Sequence, residues 1–124
     1  MILVDTSVWV DHLRAGEQGL EELLQHGRVL THPFVIGELA CGNLQNREMV
    51  LTLLQELPRA QVAIDEEVLF FIDRHSLHGL GIGYIDAHLL ASVSLKETAR
   101  LWTRDKRLHA SASALGLASR DDSN

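Results

Sequence analysis

The feature that most constrains the fold is the alternation of very short apolar runs with longer segments of helical periodicity. Ile2-Leu3-Val4, Arg28 to Leu30 and Ala99 to Trp102 are short runs rich in aliphatic residues. The segments between them carry apolar residues at spacings of three and four, which is typical of amphipathic helices. Because strands separated by helices usually pair in parallel, the sequence predicts an α/β fold with a mostly parallel central sheet.

The length and the turn residues set the predicted boundaries. A chain of 124 residues with 46% hydrophobic residues fits one domain, residues 1–124, that buries about two-thirds of its unfolded surface. Short strands are also predicted at Gln61 to Ile64 and Leu117-Ala118, before a polar tail. The predicted helices are Val8 to Arg14, Glu17 to His26, Phe34 to Gly42, Gln45 to Leu57, Asp65 to about Gly79, Tyr84 to about Leu95, and a turn and helix from Thr103 to Ala114.

Charge and composition exclude several classes of protein. A net charge of −6 argues against a protein that binds nucleic acid over its whole surface. No run approaches the roughly 20 apolar residues of a membrane span, and no basic leader precedes Asp5, so we expect a soluble, unprocessed protein. The single cysteine, Cys41, suits a reducing cytoplasm and is expected in the core.

One part of the chain is locally basic, although the net charge is negative. Five of the eleven lysine and arginine residues fall in a short window near the C-terminus. This cluster is either a local patch for a nucleic acid or a solvated helix face. Its members are Lys96, Arg100, Arg104, Lys106 and Arg107.

Four acidic residues occupy informative positions. Asp5 and Asp105 follow predicted strands, and the carboxyl ends of parallel strands are where such sheets build sites. Glu38 has apolar or small neighbours three and four residues away, so we expect it to face the core and to need a partner. Asp86 lies in the first turn of a helix, beside its apolar side.

Each acidic residue also has a purely structural interpretation. Asp5 could cap the first helix, Asp86 could complement a helix dipole, and Asp105 could start a turn. Their combination favours a shared site, because converging carboxylates repel each other unless a cation lies between them. All-oxygen ligands favour Mg²⁺ or Mn²⁺, and a metal-bound water can attack a phosphodiester. The seven histidines are scattered and indicate no zinc site or histidine-based catalysis.

Four segments, taken together and in this order, resemble the PIN domain in its bacterial VapC-like toxin branch. The resemblance spans nearly the whole chain. The segments are Ile2-Leu3-Val4-Asp5-Thr6-Ser7-Val8-Trp9, Val35-Ile36-Gly37-Glu38-Leu39, Gly83-Tyr84-Ile85-Asp86-Ala87-His88-Leu89-Leu90-Ala91 and Leu101-Trp102-Thr103-Arg104-Asp105-Lys106-Arg107-Leu108.

The resemblance implies a compact α/β/α sandwich that binds Mg²⁺ or Mn²⁺ and cleaves single-stranded or loop RNA. It also implies a cognate antitoxin that holds the toxin inactive, and a homodimer. The metal-binding acids of the family fall on four residues of this chain, and the hydroxyl beside the site falls on Thr6 or Ser7, with Thr103 as a further candidate. The four acids are Asp5, Glu38, Asp86 and Asp105.

Two other functions compete with a ribonuclease. A PIN-like scaffold that binds RNA or protein without cutting it would be favoured by loss of an acid, and all four are present. A receiver-like phosphoacceptor domain would need adjacent acids after the first strand, where this chain has Asp5-Thr6-Ser7. The continuous apolar face of Gln45 to Leu57 is either core or, with the other early helices, a groove for the antitoxin. Met49 and Leu53 lie on this face.

Overall fold

The computed structural model describes residues 1–119 and contains a three-stranded parallel sheet. Its strands are β1 (Ile2–Val4), β2 (Val29–Leu30) and β3 (Arg100–Trp102). The strand order is β2-β1-β3, so β1 is central and pairs with both neighbours. All three strands therefore end at the same edge of the sheet.

Helices connect and cover these strands, which confirms the predicted α/β/α sandwich. The helices are α1 (Thr6–Ala15), α2 (Gln18–Gln25), α3 (Pro33–Ala40), α4 (Arg47–Glu56), α5 (Asp65–Arg74), α6 (Tyr84–Ser94) and α7 (Lys106–Ala114). They include two packed groups: α3 contacts both α1 and α4, whereas α6 contacts both α5 and β3.

The core is built on the central strand. Leu3 and Val4 are fully buried, as are Leu89 and Leu90 of α6. Burial of consecutive strand residues is expected when helices cover both faces of a parallel sheet. Within residues 1–119, none of the helices is long and apolar enough to span a membrane.

The predictions of two additional short strands were wrong. Instead of a strand at Gln61 to Ile64, the parallel bridge forms slightly earlier, between Thr31 and Arg59. Thr31 N–H donates to Pro58 and its carbonyl accepts from Ala60, each at 2.8 Å. At the other end, the predicted Leu117-Ala118 strand is a single bridge from Ala118 to Leu101. The polar tail predicted after it falls largely on residues 120–124, outside the described residues.

Helix α5 differs from its prediction at both ends. It stops at Arg74, not near Gly79, because Ser76 takes a left-handed conformation (φ 52°) that a helix does not continue through. At its start, Glu67 Oε1 accepts from the Ile64 N–H at 3.0 Å, and Asp65, which could have capped the helix, is instead its first residue. The side chain of Asp65 is therefore available for tertiary contacts.

Candidate active site

Asp5 lies at the end of β1 and is the most constrained acid. Its residue is only 6% exposed, and its Oδ2 accepts hydrogen bonds from Ser7 Oγ at 2.7 Å and Thr103 Oγ1 at 2.8 Å. Thr103 follows β3, so the pairing of β1 with β3 brings these two residues together. The Ser7 N–H also points to Oδ2 at 3.4 Å, which makes Asp5 the cap of α1.

Glu38 is exposed on α3, so the expectation that it faces the core was wrong. Its Oε1 accepts from Thr6 Oγ1 at 2.6 Å. The contact between α1 and α3 provides this bond, because Thr6 is the first residue of α1. Cys41, at the end of α3, is likewise exposed rather than in the core, since α3 buries its opposite side through Val35 and Leu39.

Asp86 is half-buried in the first turn of α6. Its Oδ2 accepts from the Gly83 N–H at 3.2 Å. Burial raises the pKa of this carboxyl most strongly, the Gly83 hydrogen bond opposes that rise, and the charges of Asp5, Asp105 and Glu38 raise it further. The four acids therefore share one electrostatic neighbourhood, which we call the acidic site.

Asp105 is exposed and caps α7. Its Oδ1 accepts from the Arg107 N–H at 2.9 Å and the Leu108 N–H at 3.0 Å. Thr103 Oγ1 in turn accepts from the Asp105 N–H at 3.1 Å. Thr103 thus contacts both the first and the last acid of the acidic site.

The four carboxylates share one property. Within residues 1–119, each has one oxygen that accepts hydrogen bonds and one that accepts none. The structural and functional interpretations of these acids are therefore compatible, because capping a helix uses only one of two oxygens. The oxygens that accept no hydrogen bond in the described part of the chain are Asp5 Oδ1, Glu38 Oε2, Asp86 Oδ1 and Asp105 Oδ2.

These oxygens suit a hard divalent cation that keeps part of its water shell. In the side-chain conformations of residues 1–119, no three Asp, Glu, His or Cys residues form a group that could hold a metal ion directly. Mg²⁺ usually takes only one or two protein carboxylates and retains several waters. The donor set therefore fits a cation that contacts some acids directly and others through water.

Comparison with known proteins identifies the family. The model of the PIN domain matches residues 2–113. The chain is a PIN-domain protein. Across 118 residues it is 51% identical to Ribonuclease VapC32 from two strains of Mycobacterium tuberculosis, with 95% of each chain covered. Both findings confirm the resemblance to VapC-like PIN-domain ribonucleases.

The basic cluster of this PIN domain does not form one patch. Arg100 starts β3 opposite Ile2, at the edge of the sheet away from the acidic site. Arg107 lies on the acidic side, where its side chain packs against the backbone of Gly81. A Cβ at Gly81 would lie 2.6 Å from Arg107 Cδ, and the φ of +81° there also favours glycine.

Sequence reasoning missed the partners of Arg104. Its guanidinium binds Asp11 Oδ2 at 2.6 Å and also contacts Glu17 Oε2. These contacts tie the segment after β3 of the PIN domain to α1 and to the start of α2. No local pattern indicates them, because Arg104 is about 90 residues from both acids (87 and 93).

Proposed function

We propose that this protein is a metal-dependent endoribonuclease that hydrolyses phosphodiester bonds in single-stranded or loop RNA, and that it is the toxin of a toxin–antitoxin pair. One observation carries the chemistry: four carboxylates share a neighbourhood, and each keeps an oxygen that accepts no hydrogen bond from the described residues. The name of the relative, Ribonuclease VapC32, supports the substrate class.

The resident cation is proposed to be Mg²⁺ or Mn²⁺. Asp5 is the strongest candidate for direct contact, because its buried carboxylate is fixed by two hydroxyls through the opposite oxygen. The other three acids complete the charge around the cation, directly or through water. A bound divalent ion would make water more acidic and stabilise charge on the phosphate.

The three hydroxyls are proposed to position acids. Ser7 and Thr103 hold Asp5 by donating to Oδ2, and Thr6 holds Glu38 by donating to Oε1. Each hydroxyl fixes the rotation of a carboxylate that would otherwise sample several orientations. All three predicted hydroxyls thus have a role, and none of them needs to act as a nucleophile.

The RNA backbone is proposed to approach on the side of Arg107. This exposed side chain lies beside the loop before α6, whereas Arg104 is engaged by two acids. One or two local cations suit short single-stranded segments, since the net charge of −6 disfavours a long electrostatic footprint.

The antitoxin is proposed to bind the outer side of α4 and its neighbours α1 and α3. Met49 and Leu53 on α4 are 57% and 56% exposed, and Val10 and Leu13 on α1 are exposed too. The alternative interpretation, in which the apolar face of α4 belongs to the core, fits Leu54, which is the buried residue of this helix. It does not fit the exposed Met49 and Leu53. Charged substitutions of Met49 and Leu53 should abolish antitoxin binding in a folded protein, and retained binding would contradict this surface.

A homodimer in the cytoplasm is the assembly that we propose for the free toxin. Leu69 and Phe70 on α5 offer a second exposed apolar surface, distant along the chain from the α4 surface. Light scattering after size exclusion should give twice the monomer mass of 13.8 kDa, and Phe70→Glu should give the monomer. A monomeric wild type would exclude the dimer.

Cleavage of a pool of cellular RNA tests the central proposal. Wild type, Asp5→Asn and Asp86→Asn should be compared in Mg²⁺, Mn²⁺ and EDTA, with Asp73→Asn as a control on the exposed side of α5. We expect discrete cuts that EDTA and both site variants abolish and that the control retains. RNA binding without cutting by the wild type would favour the scaffold function instead. Cutting that persists in EDTA or in both site variants would contradict the metal-dependent mechanism at the acidic site.

A further inference from the structure

Three side chains outside the acidic site meet at the first turns of α5 and α6. Tyr84 Oη donates to Asp65 Oδ1 at 2.9 Å, and His88 Nε2 lies 3.3 Å from the same oxygen. Since a carboxylate oxygen accepts, His88 Nε2 is the donor in this pair. The Tyr84 and His88 rings also pack edge to face, with centroids 4.7 Å apart.

Helix geometry links these contacts to the acidic site. Each residue advances an α-helix by about 100°, so Tyr84 and His88, four residues apart, lie on one face of α6. Asp86 is midway between them in sequence and about 200° from Tyr84, on the opposite side. Fixing the Tyr84 face against α5 therefore fixes the direction of Asp86.

His88 extends the contact to the helix of a second acid. Its side chain is only 3% exposed, and its ring packs edge to face on Phe34 of α3, with centroids 4.6 Å apart. Phe34 lies one turn before Glu38, on the same face of α3. His88 thus contacts a side chain of α6, the helix that carries Asp86, and a side chain of α3, the helix that carries Glu38.

We infer that Asp65, Tyr84, His88 and Phe34 form a clamp that sets the rotation of α6 and thereby aims the Asp86 carboxylate. We call this group the histidine clamp. Its members are positioning residues, since the contacts that define the clamp join them to one another. The consequence for metal binding rests on the proposed function, whereas the consequence for the orientation of Asp86 does not.

A pair of substitutions at Asp65 isolates the hydrogen bonds from the charge. Asp65→Ala removes the acceptor, whereas Asp65→Asn loses the same charge but keeps an oxygen in the Oδ1 position. The Asp65 side chain is 73% exposed, so truncation opens no cavity in the core. Glu66→Ala is the matched control, because it removes an acid from the same exposed first turn of α5.

Two measurements report on Asp86. Hydrogen exchange of the Gly83 amide, which donates to Asp86 Oδ2, follows the orientation of the carboxylate without any need for catalysis. Calorimetric titration with Mn²⁺ follows the affinity of the acidic site. We expect Asp65→Ala to speed exchange at Gly83 and to weaken Mn²⁺ binding about tenfold, as loss of outer contacts does at metal sites. Asp65→Asn and Glu66→Ala should stay close to wild type.

The outcomes separate the clamp from the proposed function. If Asp65→Ala leaves Gly83 exchange and Mn²⁺ affinity unchanged, the clamp is refuted, even if the melting temperature falls. Equal losses in Asp65→Ala and Asp65→Asn would assign the effect to charge and also overturn it. If Gly83 responds to Asp65→Ala in a protein that neither binds Mn²⁺ nor cleaves RNA, the clamp stands and the proposed ribonuclease function fails.

Discussion

The acidic site and the histidine clamp lie beside each other, but their side chains repel one another in the acidic site and attract one another in the clamp. In the acidic site, burial raises the pKa of Asp86 most and the like charges of the other three acids raise it further, so the folded protein keeps a repulsion that neutral side chains would remove. In the clamp, donors meet an acceptor and aromatic rings pack on one another. The attractive contacts of the clamp hold α5, α6 and α3 together. They thereby keep the acids of the neighbouring site close to one another despite their repulsion.

The largest expected effect separates function from stability within the acidic site. Asp86→Asn should reduce RNA cleavage by about 100- to 1,000-fold, the range for loss of one strong electrostatic contact to a reaction centre. The pKa of Asp86 is raised on folding, so its ionised form costs stability at neutral pH. Without metal, the variant should therefore melt at a higher temperature than the wild type. A lower melting temperature would contradict the claim that ionised Asp86 destabilises the folded protein.

The next effect concerns His32, which packs against Phe34 of the clamp. Burial, then the charges of His88 and Arg59, lower the pKa of His32 from 6.5 to about 4. Between these pH values the unfolded chain binds a proton that the folded protein does not, so stability falls as the pH falls, by roughly 3 kcal/mol in total. Above pH 6.5 the residue has no such effect.

Urea unfolding of His32→Asn tests this dependence. Asparagine keeps an acceptor for the Phe34 N–H, which His32 Nδ1 accepts at 3.0 Å, but it does not titrate. Between pH 7 and pH 4, His32→Asn should lose less stability than the wild type, by most of the roughly 3 kcal/mol. The exposed control His78→Asn should behave like wild type. An unchanged pH profile would show that His32 is protonated in the folded protein.

Metal binding should relieve the repulsion of the acidic site. At a concentration 100 times its dissociation constant, Mn²⁺ would stabilise the folded protein by about 2.7 kcal/mol. In thermal scans, we expect Mn²⁺ to raise the melting temperature of the wild type and to raise that of Asp5→Asn much less. The melting temperature of Asp73→Asn should rise as much as that of the wild type. Equal stabilisation of all three proteins would locate the binding elsewhere.

The smallest effect is expected at Arg104, outside both regions. Its guanidinium joins Asp11 and Glu17 at the surface, where ion pairs contribute about 0–1 kcal/mol. Arg104→Gln should lower the free energy of unfolding by no more than this and leave cleavage within a few-fold of wild type. A large loss of cleavage would assign Arg104 to RNA binding.

The acidic site was more predictable from sequence than the clamp. Asp5 and Asp105 follow apolar strands, and the carboxyl ends of parallel strands meet at one edge, so local patterns sufficed. Nothing local indicated that Asp65 contacts Tyr84, because that bond depends on how α5 packs on α6. The exposure of Glu38 was missed for the same reason, since neighbours in sequence reveal a helix face but not which side meets another element.

Helix ends and isolated bridges were the other limits. The left-handed Ser76 ends the turn after α5, although serine gives little signal for that conformation. The bridge between Thr31 and Arg59 pairs single residues, and one residue carries no periodicity. The long apolar patterns, by contrast, predicted all seven helices within the described residues.

The hydrogen bond from Thr103 to Asp5 spans 98 positions of the chain, and this separation has a consequence for synthesis. Ser7 is only two residues from Asp5, but the bond from Thr103 can form only after β3 has been translated and has paired beside β1. Because a domain generally folds as a unit, this bond requires nearly the whole domain to have been made. The acidic site can therefore be complete only late in synthesis, when both Asp5 and Asp105 are present.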